Sequence, residues 1–279
     1  MSLALITGAN TGLGFETAQG LLKLGYEVVI TSRELERGNR AVAKLKSEYP
    51  QGQVSALALD LSKQSNINAF AAEFAKLSKP WDVLVLNAGA KVLANYRETD
   101  FRVEYHFGVN AVGHFSLVSD LLLHRAPISR VVSVSSIVAR FAPEKLGPAG
   151  SANEYSAGAS YSASKLSNYL FAMELQRRFG SDSFSSLAAH PGFARAEPYG
   201  PASTRFFESF LAQTAAKGAL PIIEAASDAS LHGGSYLVPK IFELWGEPTE
   251  GIVPKNSTEE SLTRNWEILE TLSGKTLAL

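Results

Sequence analysis

Four apolar residues near the start of the chain, Leu3-Ala4-Leu5-Ile6, run directly into Thr7-Gly8-Ala9-Asn10-Thr11-Gly12-Leu13-Gly14. An apolar run this short and uninterrupted predicts a strand buried on both faces, as in a parallel sheet. Phe15, Ala18, Leu21 and Leu22 then recur at helical spacing, and Gly25 stops that helix before a second apolar run, Val28 to Thr31. The glycines therefore sit where a strand turns into a helix. Such a turn needs glycine because the backbone bends sharply and comes close to a pyrophosphate, whose charge is met by unpaired N–H groups and the positive end of the helix. The spacing is G-x-x-x-G-x-G, not G-x-G-x-x-G, so the mechanism carries the inference and the regular expression does not.

Further along, apolar runs alternate with amphipathic stretches. Strands are expected near Val54 to Leu59, Val83 to Leu86, Val131 to Val134 and Ser186 to Ala189, with helices between them. This alternation calls for an α/β fold, a doubly wound, mostly parallel sheet of about seven strands with helices on both faces. Ligands gather at the carboxyl ends of strands in such sheets. At those ends stand Ser32-Arg33, Asp60, Asn87-Ala88-Gly89 and Ser135-Ser136. No linker divides the chain, so residues 1–279 are expected to form one domain.

Charge removes several classes of function. The 26 basic and 27 acidic residues nearly cancel, which leaves no electrostatic footprint for nucleic acid or for a polybasic membrane contact. With no apolar stretch of ~20 residues and a first strand at Leu3, neither a membrane anchor nor a signal peptide is expected, and the expected location is cytoplasmic. There is no cysteine, and the five histidines follow no metal-ligand spacing, so no metal site is expected. Asn256-Ser257-Thr258 reads as a loop or helix start, and Thr258 to Leu272 as an amphipathic helix.

Tyr161 and Lys165 lie four residues apart in Tyr-Ser-Ala-Ser-Lys, inside a helical stretch. Residues at that spacing share a helix face, so the ammonium can sit beside the phenol and lower its pKa from the usual ~10, towards proton transfer near neutrality.

Together, Thr7 to Gly14, Asp60-Leu61, Asn87-Ala88-Gly89, Asn110-Ala111-Val112-Gly113, Val134-Ser135-Ser136, Tyr161 to Lys165 and His190-Pro191-Gly192 give the chain a resemblance to the short-chain dehydrogenase/reductase family, with its single-domain Rossmann fold. The resemblance covers nearly the whole chain and implies a nicotinamide cofactor and a catalytic tetrad of Asn110, Ser136, Tyr161 and Lys165. In that scheme Ser136 faces substrate, Ser135 orients it, and Asn110 holds a water that links Lys165 to solvent. The implied cofactor contacts are Gly8, Asn10, Thr11, Gly12, Leu13, Gly14, Asp60, Leu61, Asn87, Ala88, Gly89, Tyr161, Lys165, Pro191 and Gly192. The interval from Ser136 to Tyr161 is longer than the commoner pattern, through Pro143, Gly147, Pro148 and Gly150, and is similar to that of retinol-dehydrogenase-like and soluble carbonyl reductase members. After Pro191-Gly192 this chain has Ala196 where the family often has a threonine that contacts the nicotinamide.

Coenzyme choice follows from charge. NAD-selective folds place a carboxylate at the end of the second strand, whereas Arg33 stands there and favours the 2′-phosphate of NADP(H). Arg37 is either a second contact or a solvated helix charge. The resemblance puts a substrate lid at about 193–220, where Phe193, Tyr199, Phe206, Phe207, Phe210 and Leu211 suit a bulky apolar carbonyl or alcohol. The alternatives are a nicotinamide-dependent epimerase or dehydratase, whose glycine spacing differs, and a redox-inactive dinucleotide sensor, which often lacks part of the tetrad. A homodimer built on helices near 100–125 and 160–178 is as compatible with the sequence as a monomer.

Overall fold

In the computed structural model, which describes residues 1–90, 93–193 and 212–277, the apolar runs become strands of one sheet. These are β1 (Leu3–Ile6), β2 (Glu27–Ser32), β3 (Val54–Ala58), β4 (Trp81–Leu86), β5 (Arg125–Val134), β6 (Phe184–Ala189), β7 (Tyr236–Ile241) and β8 (Trp245–Glu250). Their order is β3-β2-β1-β4-β5-β6-β7-β8. Neighbours from β3 to β7 pair in parallel, and β8 runs antiparallel to β7. The order reverses between β1 and β4, which opens a crevice above their carboxyl ends.

Against the about seven strands expected the sheet has eight, and β7 and β8 are the two whose positions the sequence did not reveal; β8 carries no apolar alternation. Trp-Gly-Glu-Pro-Thr-Glu forms an edge strand, and an edge tolerates both its proline and its charges. Its Pro248 lies opposite Pro239 of β7, beyond the last residues of β7 that pair with β6. The strand expected from Val131 begins at Arg125, where the added residues are mostly polar or exposed.

The helices are α1 (Gly12–Lys23), α2 (Leu35–Glu48), α3 (Gln64–Ala75), the single turn α4 (Tyr105–Phe107), α5 (Gly113–Leu121), α6 (Ala157–Phe179), α7 (Ala215–Ser227) and α8 (Glu259–Ser273). Gly25 follows α1 with φ +84°, as a helix-stopping glycine does. Successive residues of β1 point to opposite faces of the sheet. Ala4 and Ile6 join the cluster made with Phe15 and Leu21 of α1, Leu45 of α2 and Ile222 of α7. Leu3 and Leu5 join Phe70 and Phe74 of α3, Phe115 of α5, Phe171 of α6 and Trp266 of α8. Thr258 caps α8 by accepting from the Ser261 N–H at 3.2 Å, so the sequon segment is a helix start. Among the described residues no helix is long and apolar enough to cross a membrane.

Of the lid expected at 193–220, residues 194–211 lie outside the described residues, and with them Ala196, Tyr199, Phe206, Phe207, Phe210 and Leu211. The residues from Ala215 onward belong to α7, which packs on the sheet beside α1.

Trp266 locks α8 to this framework. It is 1% exposed, with Phe115 edge-on at 5.3 Å and Phe171 stacked at 5.8 Å between ring centroids. Its indole N–H has no hydrogen-bond partner among the described residues, and the Arg178 guanidinium lies 4.7 Å from the ring centroid, so the ring contributes packing and a cation–π contact. Trp266→Ala should cost about 3–5 kcal/mol in urea unfolding, and Trp266→Phe less than half of that, because no hydrogen bond is lost.

Candidate active site

The turn after β1 is shaped by close backbone approach. Gly8 has φ +62°, and a Cβ there would stand 2.8 Å from the Ala88 Cβ. A Cβ on Gly14 would stand 2.8 Å from the Gly8 carbonyl oxygen. Asn87 Nδ2 donates to the carbonyls of Thr7 at 2.8 Å and Gly8 at 3.2 Å, while the Ala88 N–H donates to Thr7 Oγ at 2.9 Å. The end of β4 is thus what holds the turn. Thr11, the N-cap of α1, makes no side-chain cap bond, and the first turn carries no acidic residue. Its amide groups and helix dipole are therefore available to a phosphate, and the bare turn fits the pyrophosphate of a dinucleotide.

At the ends of β2 and β3 the charges are already arranged. Arg33 Nη1 donates to Tyr105 Oη at 3.2 Å, and among the described residues no carboxylate pairs with it. Arg37 instead pairs with Glu34 at 2.8 Å on the exposed face of the helix. Asp60 accepts from Ser62 N at 3.0 Å and from Ser62 Oγ at 2.7 Å, and Leu61 is buried beside it.

Strand β5 delivers two adjacent serines into different surroundings. Ser135 is buried and donates to the Lys165 carbonyl at 2.8 Å. Ser136 is half-buried and caps a short 3-10 turn, Ile137–Phe141, accepting from the Val138 N–H at 3.4 Å. Lys165 is 5% exposed, and its ammonium donates to the Val134 carbonyl at 3.0 Å. Burial pulls its pKa down to about 8. Lys165 Nζ lies 5.9 Å from the centre of the Tyr161 ring.

The phenol departs from the sequence expectation. Burial pushes the Tyr161 pKa up, and no lowering by Lys165 offsets it, because the ammonium is turned to the Val134 carbonyl.

Asn110 lies in a π segment, Gly108–Val112, an irregularity frequent at functional sites. Its Oδ1 accepts from the Ala90 N–H at 2.6 Å and its Nδ2 donates to Ser164 Oγ at 2.9 Å. One Oδ1 lone pair is left for the water that the family pattern implies. A Cβ on Gly89 would stand 3.5 Å from Asn110 Oδ1 and 3.6 Å from Lys165 Nζ, so both groups converge there. Pro191 and Gly192 follow β6. The Pro191 carbonyl accepts from Gln213 Nε2 at 2.8 Å, and Gly192 has φ +71°.

Several contributors escaped the sequence reading. His114 Nδ1 donates to the Asn110 carbonyl at 2.9 Å, and its Nε2 lies 2.9 Å from Thr7 Oγ. Burial lowers its pKa to about 4, so it stays neutral and keeps that tautomer. Its position four residues after Asn110 was the available signal. Ser164, inside the Tyr161 to Lys165 stretch, passes the bond from Asn110 on to the Tyr161 carbonyl at 2.8 Å. Glu104, His106 and Tyr155 had no motif to reveal them.

Comparison with known proteins agrees with this geometry. A family model described as short chain dehydrogenase matches residues 2–202. Human (Homo sapiens) retinol dehydrogenase 12 is 37% identical over 232 residues, which span 80% of this chain and 72% of that protein. Human retinol dehydrogenase 11 is 36% identical over 197 residues, 70% of this chain and 62% of that protein. A crystal structure of an uncharacterized protein from Mycobacterium Paratuberculosis superposes with a TM-score of 0.84 at 31% identity, covering 100% of this chain and 96% of the other. The family match and the similarity to these relatives show that the chain belongs to the short-chain dehydrogenase/reductase family, in its retinol-dehydrogenase-like branch.

Proposed function

We propose that the protein is an NADP(H)-dependent oxidoreductase that interconverts a carbonyl and an alcohol on a bulky apolar small molecule, with Tyr161 as general acid/base. The observation that carries this is the meeting of the Tyr161 ring, the Lys165 ammonium and the Asn110 amide beside Gly89, at the strand end that also braces the glycine turn. A nicotinamide dinucleotide bound at that turn supplies the hydride.

Each residue then has a task set by its surroundings. The half-buried hydroxyl of Ser136 donates to the substrate carbonyl oxygen and holds it within reach of Tyr161. Tyr161 gives its proton to that oxygen as negative charge develops. Lys165 binds ribose hydroxyls, which supply the oxygens its buried ammonium lacks. Asn110 keeps Ala90 and Ser164 in place on either side of it.

Arg33 supports the coenzyme preference. The carboxylate next to it in sequence, Glu34, is held by Arg37, so the guanidinium of Arg33 is unopposed. One charge-assisted hydrogen bond to a 2′-phosphate contributes ~1.5–3 kcal/mol, or roughly 10- to 150-fold in affinity. Phe141 and Phe193, both exposed, stand at the ends of the segments leading from Ser136 and from Pro191-Gly192, and suit an apolar substrate. The names of the relatives, retinol dehydrogenases 11 and 12, point to the same kind of alcohol.

Oxidation of NADPH against a panel of apolar aldehydes and ketones tests the reading directly, with one equivalent consumed per alcohol formed. Tyr161→Phe should lower turnover by ~10²- to 10⁴-fold, while NADPH binding measured by fluorescence stays near wild type. In the same binding assay Arg33→Asp should weaken NADPH by roughly tenfold or more and leave NADH little changed. Equal losses for the two coenzymes would count against Arg33 as the selector.

A further inference from the structure

Glu104 is wholly buried beside the α4 turn, where its carboxylate accepts from the backbone N–H groups of His106 and Phe107, each at 2.8 Å. The same Oε2 lies 3.2 Å from His106 Nδ1, an approach that an ionised carboxylate makes to a protonated nitrogen. His106 Nε2 accepts from the Leu93 N–H at 3.0 Å. The two contacts together select the neutral tautomer with its proton on Nδ1.

The imidazole is 0% exposed and meets the Tyr161 ring edge-on, with centroids 6.0 Å apart and an interplanar angle of 70°. On another side it lies nearly parallel to Tyr155, also at 6.0 Å. Tyr155 Oη donates to the Leu93 carbonyl at 2.7 Å. Leu93 is therefore tied to His106 through its N–H and to the approach of α6 through its carbonyl. Three separate segments, at Leu93, at Glu104 to His106 and at Tyr155, thus meet at the imidazole that packs against the phenol ring, and the mechanism above uses none of them.

We propose that His106 is a positioning residue for Tyr161, fixed by Glu104 and Leu93 so that its ring edge sets the angle of the phenol and keeps water from that face. This rests on Tyr161 being the proton donor. His106 acts by packing and does not relay protons, since Nε2 is occupied by a backbone N–H. Among the described residues, the titratable groups against Tyr161 are His106 from α4 and Lys165 from its own helix, with Tyr155 and Glu104 behind the imidazole.

The test compares His106→Gln, Tyr155→Phe and Tyr161→Phe with wild type by NADPH dissociation constant, kcat, KM and the pH dependence of kcat. The glutamine keeps a donor for Glu104 and an acceptor for Leu93 but removes the ring. His106→Gln should leave the NADPH constant and KM within about twofold, lower kcat by about tenfold or more, and move the alkaline limb of the kcat profile to lower pH. The direction follows from burial, which holds the phenol pKa up and is relieved when water reaches the ring. A folded His106→Gln protein with wild-type kcat and an unmoved limb overturns the proposal and leaves Tyr161 in its role. Wild-type turnover in Tyr161→Phe overturns the underlying reading instead. If His106→Gln does not fold, Tyr155→Phe decides: a kcat lowered about threefold with the limb moved the same way supports the proposal, and an unchanged profile overturns it.

Discussion

An ammonium buried without a carboxylate among the described residues is the constraint around which the rest of the site is arranged. Placing such a charge out of water costs several kcal/mol unless oxygen atoms surround it. Lys165 has the Val134 carbonyl, and Asn168 Nδ2 donates to the same oxygen at 3.1 Å. Ser135 closes the joint by donating to the Lys165 carbonyl. Strand β5 and helix α6 cannot slide past each other without leaving these buried groups unpaired. Ser136, the next residue, is left half-buried, and its hydroxyl is the one proposed to meet the substrate carbonyl.

A second set of bonds runs from the glycine turn to the catalytic helix. The Ala88 N–H meets Thr7 Oγ, Thr7 Oγ meets His114 Nε2, and His114 Nδ1 meets the Asn110 carbonyl. Asn110 Nδ2 continues to Ser164 Oγ, which ends on the carbonyl of Tyr161 itself. Every link is short, and most are buried, so the chain is rigid only while His114 remains neutral. Burial secures that state, since its pKa lies near 4. The glycine turn and Tyr161, distant in sequence, therefore share one framework.

The parts of this arrangement that could be read in sequence are those written locally. Leu3–Ile6 and Val28 to Thr31 are uninterrupted apolar runs because both faces of a parallel strand are covered, and the glycines mark the turn because a Cβ would not fit at Gly8 or Gly14 and Gly12 has φ +59°. β8 was invisible because an edge strand need not be apolar, and the beginning of β5 because Arg125 and Pro127 to Ile128 are not fully buried. Glu104, His106 and Tyr155 were missed for a different reason. They matter only through contacts between segments, and no spacing along the chain encodes a ring packed on another ring. Arg37, one turn beyond Arg33, stays open in sequence between a ligand contact and a helix charge, and in the fold it pairs with the neighbouring Glu34.

The opposite displacements of Tyr161 and Lys165 have one cause and a chemical consequence. Desolvation disfavours charge on either group, so the phenol is pushed up and the ammonium down. A phenol in this state holds its proton at neutral pH and can donate it, which suits reduction of a carbonyl. Accepting a proton from an alcohol requires a phenolate, and the Lys165 ammonium, 5.9 Å from the ring centre, spends a donor on the Val134 carbonyl. Ribose hydroxyls at Lys165 would supply oxygens that stabilise its charged form, and a firmly charged lysine beside the ring would in turn favour the phenolate. On this reasoning the coenzyme brings hydride chemistry and also sets how readily the tyrosine parts with its proton.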